Sequence, residues 1–293
     1  MGGLVDPLRV RLDIRYRGTA FHGWAAQPGL VTVQGAVEDA LGLLLRVPVT
    51  LTVAGRTDAG VHALAQVAHF DVEESRVRAL ARDGALENGL QLLRNRLNTL
   101  LARGSDSPGS DVVILAVRAV NADFDARFSA VQRRYRYRIS DSVTTRDPLT
   151  ADAVWWVNYA LDVDAMSRAA QHLLGEHDFL SFCKPREGAT TIRTLRAITV
   201  SRDEHGIFVE LRADAFCHSM VRSIVGALVE VGRGRRSDLW VKELVDNPGR
   251  LKPAPVAPAH GLTMLGVDYP DPKHWADQQH QTRRRRGECD EPK

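Results

Sequence analysis

Residues 8–16 read LRVRLDIRY, in which apolar side chains alternate strictly with charged ones. This period of two is typical of a β-strand that is buried on one face only. After a loop rich in glycine and proline, apolar residues recur at helical spacing from Val33 to Leu44, and Thr32 is the predicted N-cap. The chain is therefore predicted to begin with a half-buried strand and an amphipathic helix.

The same two patterns continue to about residue 270 without a regular alternation of strands and helices. Further strands are predicted at 49–54, 65–72, 112–120, 133–140, 153–157, 193–202, 206–213 and 262–269, and helices at 86–100, 162–174, 216–231 and 238–246. Such a mixture favours an α+β fold with mainly antiparallel sheet. The 293 residues suffice for two domains, which we assign to 8–120 and 121–270, with an N-terminal extension at 1–7 and a disordered basic tail at 271–293.

The composition excludes membrane and disulfide-rich classes of protein. The longest aliphatic run, 112–117, is far shorter than a helix that spans a bilayer. The first residues lack the basic start and apolar core of a signal peptide, so we expect a soluble cytoplasmic protein. The three cysteines, Cys183, Cys217 and Cys289, form no C-x-x-C pair, and we expect reduced thiols rather than a disulfide or a zinc site.

The arginines are clustered, although the net charge is only +3. Residues 127–140 read RFSAVQRRYRYRIS, which contains five arginines, two tyrosines and no acid. Arginine binds phosphates through two parallel hydrogen bonds and aromatic rings stack on bases, so this segment favours an RNA partner. A solvated strand face of purely structural origin has the same composition, and that alternative stays open.

The segment GRTDAGVH at 55–62 places a glycine on each side of Arg-Thr-Asp. Asp58, on such a loop beside Arg56, is a candidate nucleophile or general base. A turn cap is the alternative role for Asp58. His62 and His69 have no third ligand nearby, so we predict core or surface histidines and no metal site. A metal-dependent phosphoesterase that uses Asp58 and these histidines remains a rival hypothesis.

The longer segment GRTDAGVHALAQVAHF (55–70) closely resembles the signature of the tRNA pseudouridine synthase A family. Further matches follow in the family's order: Gly23-Trp24, TVQG (32–35), DFDARFSA (123–130), RRYRYRI (133–139), GEHDFLSFC (175–183), MVRSIVGALVEVGRGR (220–235) and PAHGL (258–262). The resemblance extends from about residue 8 to 270. Arg17 stands where the family usually has an acid, Ala25 replaces a usual Gln, and residues 75–111 are longer and less family-like.

The resemblance implies an enzyme that isomerises uridine to pseudouridine in the anticodon stem-loop of tRNA without a cofactor. It also implies a homodimer and a pseudouridine synthase-type fold, in which two similar halves join at a central cleft. The target uridines, at about positions 38 to 40 of tRNA, must leave the helical stack before an enzyme can reach them. A non-catalytic RNA-binding protein with the same fold is the rival hypothesis.

By resemblance, Asp58 is the catalytic aspartate, which either adds to the ribose C1′ or removes the C2′ proton. Tyr135 would stack on the flipped base, whereas we favour core packing for Tyr137. Arg56 would either pair with the carboxylate of Asp58 or occupy the space that the base vacates. These roles make Tyr135 and Arg56 substrate-binding residues.

Arg222 is a further candidate for substrate binding. In the predicted helix 216–231 it falls on one stripe with His218, Val225 and Val229. A broad apolar stripe lies on the opposite side, which indicates a helix buried on both sides. A buried arginine requires an anionic partner, which would be Asp58 or an RNA phosphate. An ordinary structural ion pair is an equally open alternative.

Overall fold

A computed structural model describes residues 7–105, 109–184 and 190–287, with the backbone alone at 284–287. The described chain divides into two compact units. The first contains the chain through Ala130 together with Tyr269–Arg283, and the second is formed by Val131–Asp268. Each unit combines a sheet with helices, and all strand pairs described except one are antiparallel. The prediction of an α+β fold with mainly antiparallel sheet is confirmed.

The sheet of the first unit has β1 between β3 and β4, and the short β2 pairs with β3. Val10, Leu12 and Ile14 of β1 are completely buried, as the alternating pattern predicts. Helix α3 packs on β4 and contacts α1, whose N-cap Thr32 accepts a hydrogen bond from the Gly35 N–H at 3.2 Å. The strands are β1 (Leu8–Tyr16), β2 (Thr52–Val53), β3 (His62–Val72) and β4 (Val112–Val120), and the helices are α1 (Val33–Leu45), α2 (Glu74–Arg78) and α3 (Leu86–Arg103).

The sheet of the second unit has the strand order β10-β5-β9-β8-β7, and β6 pairs in parallel with the end of β5. Helix α4 packs on β8 and contacts both α5 and α6. The strands are β5 (Gln132–Ser140), β6 (Trp155–Trp156), β7 (Gly175–Asp178), β8 (Ile192–Asp203), β9 (Gly206–Ala213) and β10 (Leu262–Asp268). The helices are α4 (Val163–Gln171), α5 (Met220–Gly232) and α6 (Asp238–Asp246).

The loop after β4 belongs to the first unit, which therefore extends to Ala130 rather than ending at 120. Arg9 of β1 donates a hydrogen bond to the Phe124 carbonyl at 2.9 Å, and the Phe124 side chain is completely buried. His69 of β3 accepts a hydrogen bond from the Ala126 N–H at 3.0 Å. These contacts fasten the loop to the first sheet, whereas its polar sequence suggested a boundary at its start.

The prediction of a disordered tail at 271–293 is wrong for the described part of that segment, which forms helix α7 (Trp275–Gly287). The Trp275 ring packs on Phe124 with 4.8 Å between ring centroids, and the Arg283 guanidinium lies 4.5 Å from the centre of the Phe128 ring. One buried tryptophan thus anchors a helix whose composition is otherwise polar. Residues 288–293 lie outside the described chain.

Cys183 and Cys217 have Cα atoms 5.9 Å apart and are joined in a disulfide within the second unit. The expectation of reduced thiols is therefore wrong for this pair, and Cys289 lies outside the described residues. The two cysteines are 34 positions apart in the chain, and only the fold brings them together. None of the helices in the described ranges is long and apolar enough to cross a membrane.

Candidate active site

Arg56 and Asp58 lie on the loop 54–61, which connects β2 to β3. We call residues 54–61 the aspartate loop. Its centre is hydrogen-bonded to the segment that follows β1, because the Trp24 N–H donates to the Thr57 carbonyl at 3.0 Å. Trp24 itself is completely buried. The Gly23-Trp24 motif and the aspartate loop, 30 residues apart in the sequence, are thus one local structure.

Two glycines let the segment after β1 approach the aspartate loop closely. Gly23 has φ +94°, and a Cβ atom there would lie 2.9 Å from the Thr57 carbonyl oxygen and 3.1 Å from the Ala59 nitrogen. A Cβ atom on Gly18 would lie only 2.0 Å from the Val61 carbonyl oxygen. Side chains at these two positions would displace the backbone on either side of Asp58.

Below the aspartate loop is a buried group of three polar side chains, Tyr16, Thr57 and Gln66. The Tyr16 hydroxyl and Thr57 Oγ1 share a hydrogen bond of 2.7 Å. Gln66 Nε2 donates to the Tyr16 hydroxyl at 3.3 Å and to the Gly55 carbonyl at 2.8 Å. Burial raises the pKa of Tyr16 to about 12, so this phenol is protonated throughout the neutral range.

Asp58 is half-buried and Arg56 is exposed. The Asp58 carbonyl accepts a hydrogen bond from the Val61 N–H at 3.2 Å, which closes a turn through Gly60. The pairing of Arg56 with the Asp58 carboxylate stays a prediction. Burial, and to a smaller extent the nearby Arg56 guanidinium, lowers the pKa of Arg127.

The departure from the family pattern at Arg17 has a structural role. Its guanidinium forms two bonds of 2.8 Å to Asp111 Oδ1, through Nε and Nη2, and the Arg17 N–H donates to the Asp111 carbonyl at 2.9 Å. The Asp111 side chain is only 8% exposed. This pair ties the end of β1 to the start of β4.

Both histidines of the signature segment are buried core residues, as predicted. His62 Nδ1 accepts a hydrogen bond from the Gly18 N–H at 3.0 Å, and His69 is held in the same way by Ala126. Burial lowers the pKa of His69, so its imidazole is neutral at pH 7. Among the residues that the structure describes, no cluster of His, Cys, Asp or Glu has the three members that could hold a metal ion.

The other two candidates lie in the second unit, and Tyr135 is at the centre of β5. Its side chain is 7% exposed and makes an edge-to-face contact with Phe216, with ring centroids 5.0 Å apart. Its neighbours across the sheet are Leu211 and Met264. Tyr137 is completely buried and its hydroxyl donates to the Pro258 carbonyl at 2.7 Å, in agreement with the core role predicted for it.

The arginines of β5 alternate with these tyrosines, but they are largely paired. Arg136 contacts Glu210 at 2.6 Å and Arg134 contacts Asp268 at 3.3 Å. Arg138 lies over the Phe208 ring, 5.6 Å from its centre. Two of the three arginines on this face of β5 are therefore paired with carboxylates of the second unit. This agrees with the alternative that the basic face of the strand is of structural origin.

Arg222 lies in the first turn of α5, which begins at Met220 rather than at 216. Ser219, with φ 64°, is the last non-helical residue before α5. Arg222 is half-buried, and its Nε donates a hydrogen bond to the Ala257 carbonyl at 2.8 Å. The predicted stripe shared with His218 is wrong, because His218 precedes the helix.

The structure thus places Arg56 and Asp58 on one loop of the first unit, and Tyr135 and Arg222 on a strand and a helix of the second. The sequence predicts no site role for Tyr16 or Gln66. Tyr16 continues the apolar alternation of β1, and its ring lies in the core. Gln66 carried a signal, since a polar side chain at an inward strand position needs a buried hydrogen-bond partner.

Comparison with known proteins identifies the family of this chain. The model of a family described as tRNA pseudouridine synthase matches residues 169–270. A tRNA pseudouridine synthase A from Leifsonia xyli subsp. xyli is 51% identical over 269 residues, which cover 89% of this chain and 92% of the relative. A protein of the same name from Frankia casuarinae is 48% identical and covers 91% of each chain. The chain belongs to the tRNA pseudouridine synthase A family.

Similarity to solved structures is far weaker. A chain of a Cbf5-Nop10-Gar1 complex is 9% identical, with a TM-score of 0.30, and the match covers 75% of this chain and 54% of that one.

Proposed function

We propose that this chain isomerises uridine to pseudouridine in the anticodon stem-loop of tRNA, and that Asp58 is the carboxylate on which the reaction depends. The observation that supports Asp58 most directly is the fixed backbone around it. The Thr57 carbonyl is hydrogen-bonded to Trp24, and Gly23 packs against the loop without room for a side chain. Pre-organised catalytic groups of this kind are what isomerisation at a single ribose requires.

The reaction breaks the bond between ribose C1′ and uracil N1, turns the base, and forms a bond from C1′ to C5. The proton on C5 is lost, and N1 gains a proton. Asp58 would act on the sugar after the base has detached, either at C1′ or at the C2′ proton. Atoms and charge balance without an oxidant, a nucleotide or an added metal ion, and we propose that none is needed.

The test is release of tritium from tRNA that carries [5-³H]uridine, with no metal or nucleotide added. Wild type should release tritium, and Asp58→Ala and Asp58→Asn should release none above background. Asp39→Asn, which removes the same charge from an exposed position on α1, should remain fully active. All three variants should bind tRNA as tightly as wild type.

The outcomes separate the rival functions. Binding of tRNA without tritium release by wild type would indicate an RNA-binding protein that lacks catalysis. Tritium release by Asp58→Asn at the wild-type rate would refute the role of Asp58. Loss of wild-type activity on addition of a chelator would point to a metal-dependent reaction and contradict our proposal.

We propose that Tyr135 contacts the uracil ring of the target uridine. The support is its resemblance to the family's tyrosine and its rigid setting, since Phe216 and two neighbouring strands fix its ring. Tyr135→Phe retains the ring, so it should bind tRNA normally and separate stacking from any proton transfer by the hydroxyl. Tyr135→Leu should lose activity in either case, and full activity of this variant would refute the contact.

Arg56 and Arg222 are proposed to bind phosphate groups of the RNA. Each lost phosphate contact should reduce the dependence of log Kd on log[salt] by about one unit of slope. Arg56→Gln and Arg222→Gln should show this reduction, and Arg96→Gln, a change at an exposed position of α3, should not. An unchanged slope for either arginine would leave it with a structural role, which for Arg222 is its bond to Ala257.

We propose further that the protein is a cytoplasmic homodimer. In the second unit the side chains of Val143 and Leu149 are 78% and 92% exposed, and a second copy of the chain would cover them. Light scattering after gel filtration should give twice the mass of one chain, and Leu149→Asp should shift this toward the monomer. Leu43→Asp, at a 69% exposed position in the first unit, is the control. A monomeric wild type would refute the dimer, and cell fractionation tests the location.

A further inference from the structure

The buried side chains of Tyr16, Thr57 and Gln66 have no role in the chemistry proposed above, yet they lie directly beneath the aspartate loop. Thr57 is the residue immediately before Asp58, and Gly55, whose carbonyl Gln66 holds, is three residues before it. Tyr16 and Gln66 come from two neighbouring strands, where Ile14 of β1 pairs with Gln66 of β3. The group therefore connects the rigid sheet of the first unit to the loop that carries the carboxylate.

Two hydrogen bonds of this group have a defined direction, because Gln66 Nε2 is the donor in both. An amide nitrogen only donates, so the Tyr16 oxygen accepts from Gln66 Nε2 and its own proton is available for Thr57 Oγ1. The same Gln66 nitrogen uses its second proton on the Gly55 carbonyl. The side chains of Tyr16, Thr57 and Gln66 are 3%, 7% and 0% exposed, so water does not compete for these bonds.

We propose that Tyr16 and Gln66 are positioning residues, which hold the backbone at Gly55 and Thr57 and thereby fix the carboxylate of Asp58 against its substrate. This inference rests on the proposed catalytic role of Asp58. Neither residue needs to touch the RNA, because each acts through the loop. Buried polar networks specify one arrangement of the groups they join, since every alternative leaves a donor or an acceptor unpaired.

The hydroxyl of Thr57 is the link that can be removed with the smallest change in shape. Thr57→Val replaces the hydroxyl by a methyl group of similar size, whereas Thr57→Ser keeps the hydroxyl and loses the methyl. Tyr16→Phe removes the other side of the same hydrogen bond. A displacement of the loop by about 1 Å costs on the order of 100-fold in rate, so we expect kcat to fall about tenfold to 100-fold in Thr57→Val and Tyr16→Phe.

The matched control is Tyr269→Phe. The Tyr269 hydroxyl also donates a hydrogen bond within the first unit, but to the Ala126 carbonyl, at 2.7 Å, which lies outside the aspartate loop. Tyr269→Phe should lower the stability of the fold about as much as Tyr16→Phe does, and it should leave kcat unchanged. The tRNA affinity should stay within twofold of wild type in all of these variants, so the loss should appear in kcat and not in KM.

Single-turnover tritium release, tRNA binding and thermal unfolding are measured on the full chain. The proposal predicts low kcat for Tyr16→Phe and Thr57→Val, and recovery in Thr57→Ser. The double variant should be no slower than Tyr16→Phe alone, because Tyr16→Phe already removes the hydrogen bond that Thr57→Val removes, together with the one from Gln66. Wild-type kcat in folded Thr57→Val and Tyr16→Phe would overturn the positioning role while leaving the proposed function intact. An inactive wild type would instead overturn the proposed function. If Tyr16→Phe fails to fold, the Thr57→Val and Thr57→Ser pair decides alone.

Discussion

A methyl group added at Gly23 is the sharpest test of how the aspartate loop is held. Gly23 has φ +94°, which is unfavourable for any residue with a Cβ atom, and the new Cβ would lie 2.9 Å from the Thr57 carbonyl oxygen. Gly29 offers a matched control in the same unit. Its φ is +73°, and nothing lies within 4 Å of an added Cβ.

Both substitutions lose stability because of the positive φ, and Gly23→Ala alone also loses stability because of a close contact. A positive φ costs about 1–2 kcal/mol for a residue with a Cβ atom, and this applies to both Gly23→Ala and Gly29→Ala. The close contact with backbone atoms adds about 1–3 kcal/mol at Gly23 alone, because carbonyl and amide groups cannot rotate away as a side chain can. We therefore expect about 1–2 kcal/mol of destabilisation for Gly29→Ala and about 2–5 kcal/mol for Gly23→Ala.

Urea unfolding measures the total loss, and hydrogen exchange of the amides at 54–61 measures where it falls. Gly23→Ala should speed exchange in the aspartate loop and reduce single-turnover tritium release by at least tenfold, because Thr57 must move and Asp58 moves with it. Gly29→Ala should alter neither. If the two variants have equal stability and equal activity, the close approach at Gly23 does not control the loop, and the reasoning about its position fails.

Three further predictions concern the rest of the molecule. Trp275→Ala should lower the stability of the first unit by about 3 kcal/mol in urea unfolding, as for other buried aromatic residues, whereas a free tail would show no change. Arg17→Asp should lower stability by about 2 kcal/mol by setting two carboxylates together, and the exchanged pair Arg17→Asp/Asp111→Arg should recover most of it; no recovery would contradict the pairing. The hydrogen bonds from Arg202 hold the pKa of Asp141 below its usual value, so their stabilisation is present above the unfolded pKa and is lost as the pH falls through the folded one. Arg202→Leu should therefore cost about 1 kcal/mol at pH 7 after solvent screening, with the difference from wild type shrinking below about pH 4, and a constant difference would contradict this.

Local patterns predicted most of the regular elements. The strands at 8–16, 112–120 and 206–213 and the helix at 238–246 have the predicted bounds. Three of them carry a clear period of two or 3.6 residues, and 112–120 begins with a continuous aliphatic run. The strand expected at 49–54 is reduced to Thr52–Val53, and α5 starts four residues late. In both places a backbone group has a partner outside regular structure. The Leu51 N–H donates to the Glu38 carboxylate at 2.7 Å, and the His218 carbonyl accepts from the Lys184 N–H at 3.1 Å. The periodicity of side chains does not predict such contacts.

The errors in domain organisation have one origin, which is the aromatic cluster of the first unit. Phe124 lies on a polar loop and Trp275 on a polar helix, and each segment alone has too few apolar residues to predict a fold. Tyr269 contacts the same Phe124 ring, with 5.0 Å between centroids. Three aromatic residues from segments about 150 positions apart in the chain thus pack on one another. Together with the hydrogen bonds from Arg9 and to His69, these contacts attach both segments to the first unit.

The candidate site shows the same division between local and spatial information. The sequence predicts Asp58 because its loop matches a long signature, but the reason for other residues of the matching motifs is geometric. Position 23 requires glycine because a Cβ atom there would lie 2.9 Å from the Thr57 carbonyl oxygen. Gln66 is required because it donates hydrogen bonds to the Tyr16 hydroxyl and the Gly55 carbonyl. Residues of a motif can therefore be indispensable without contacting substrate, and a variant that removes one of them should change the rate of the reaction while leaving the binding of tRNA intact.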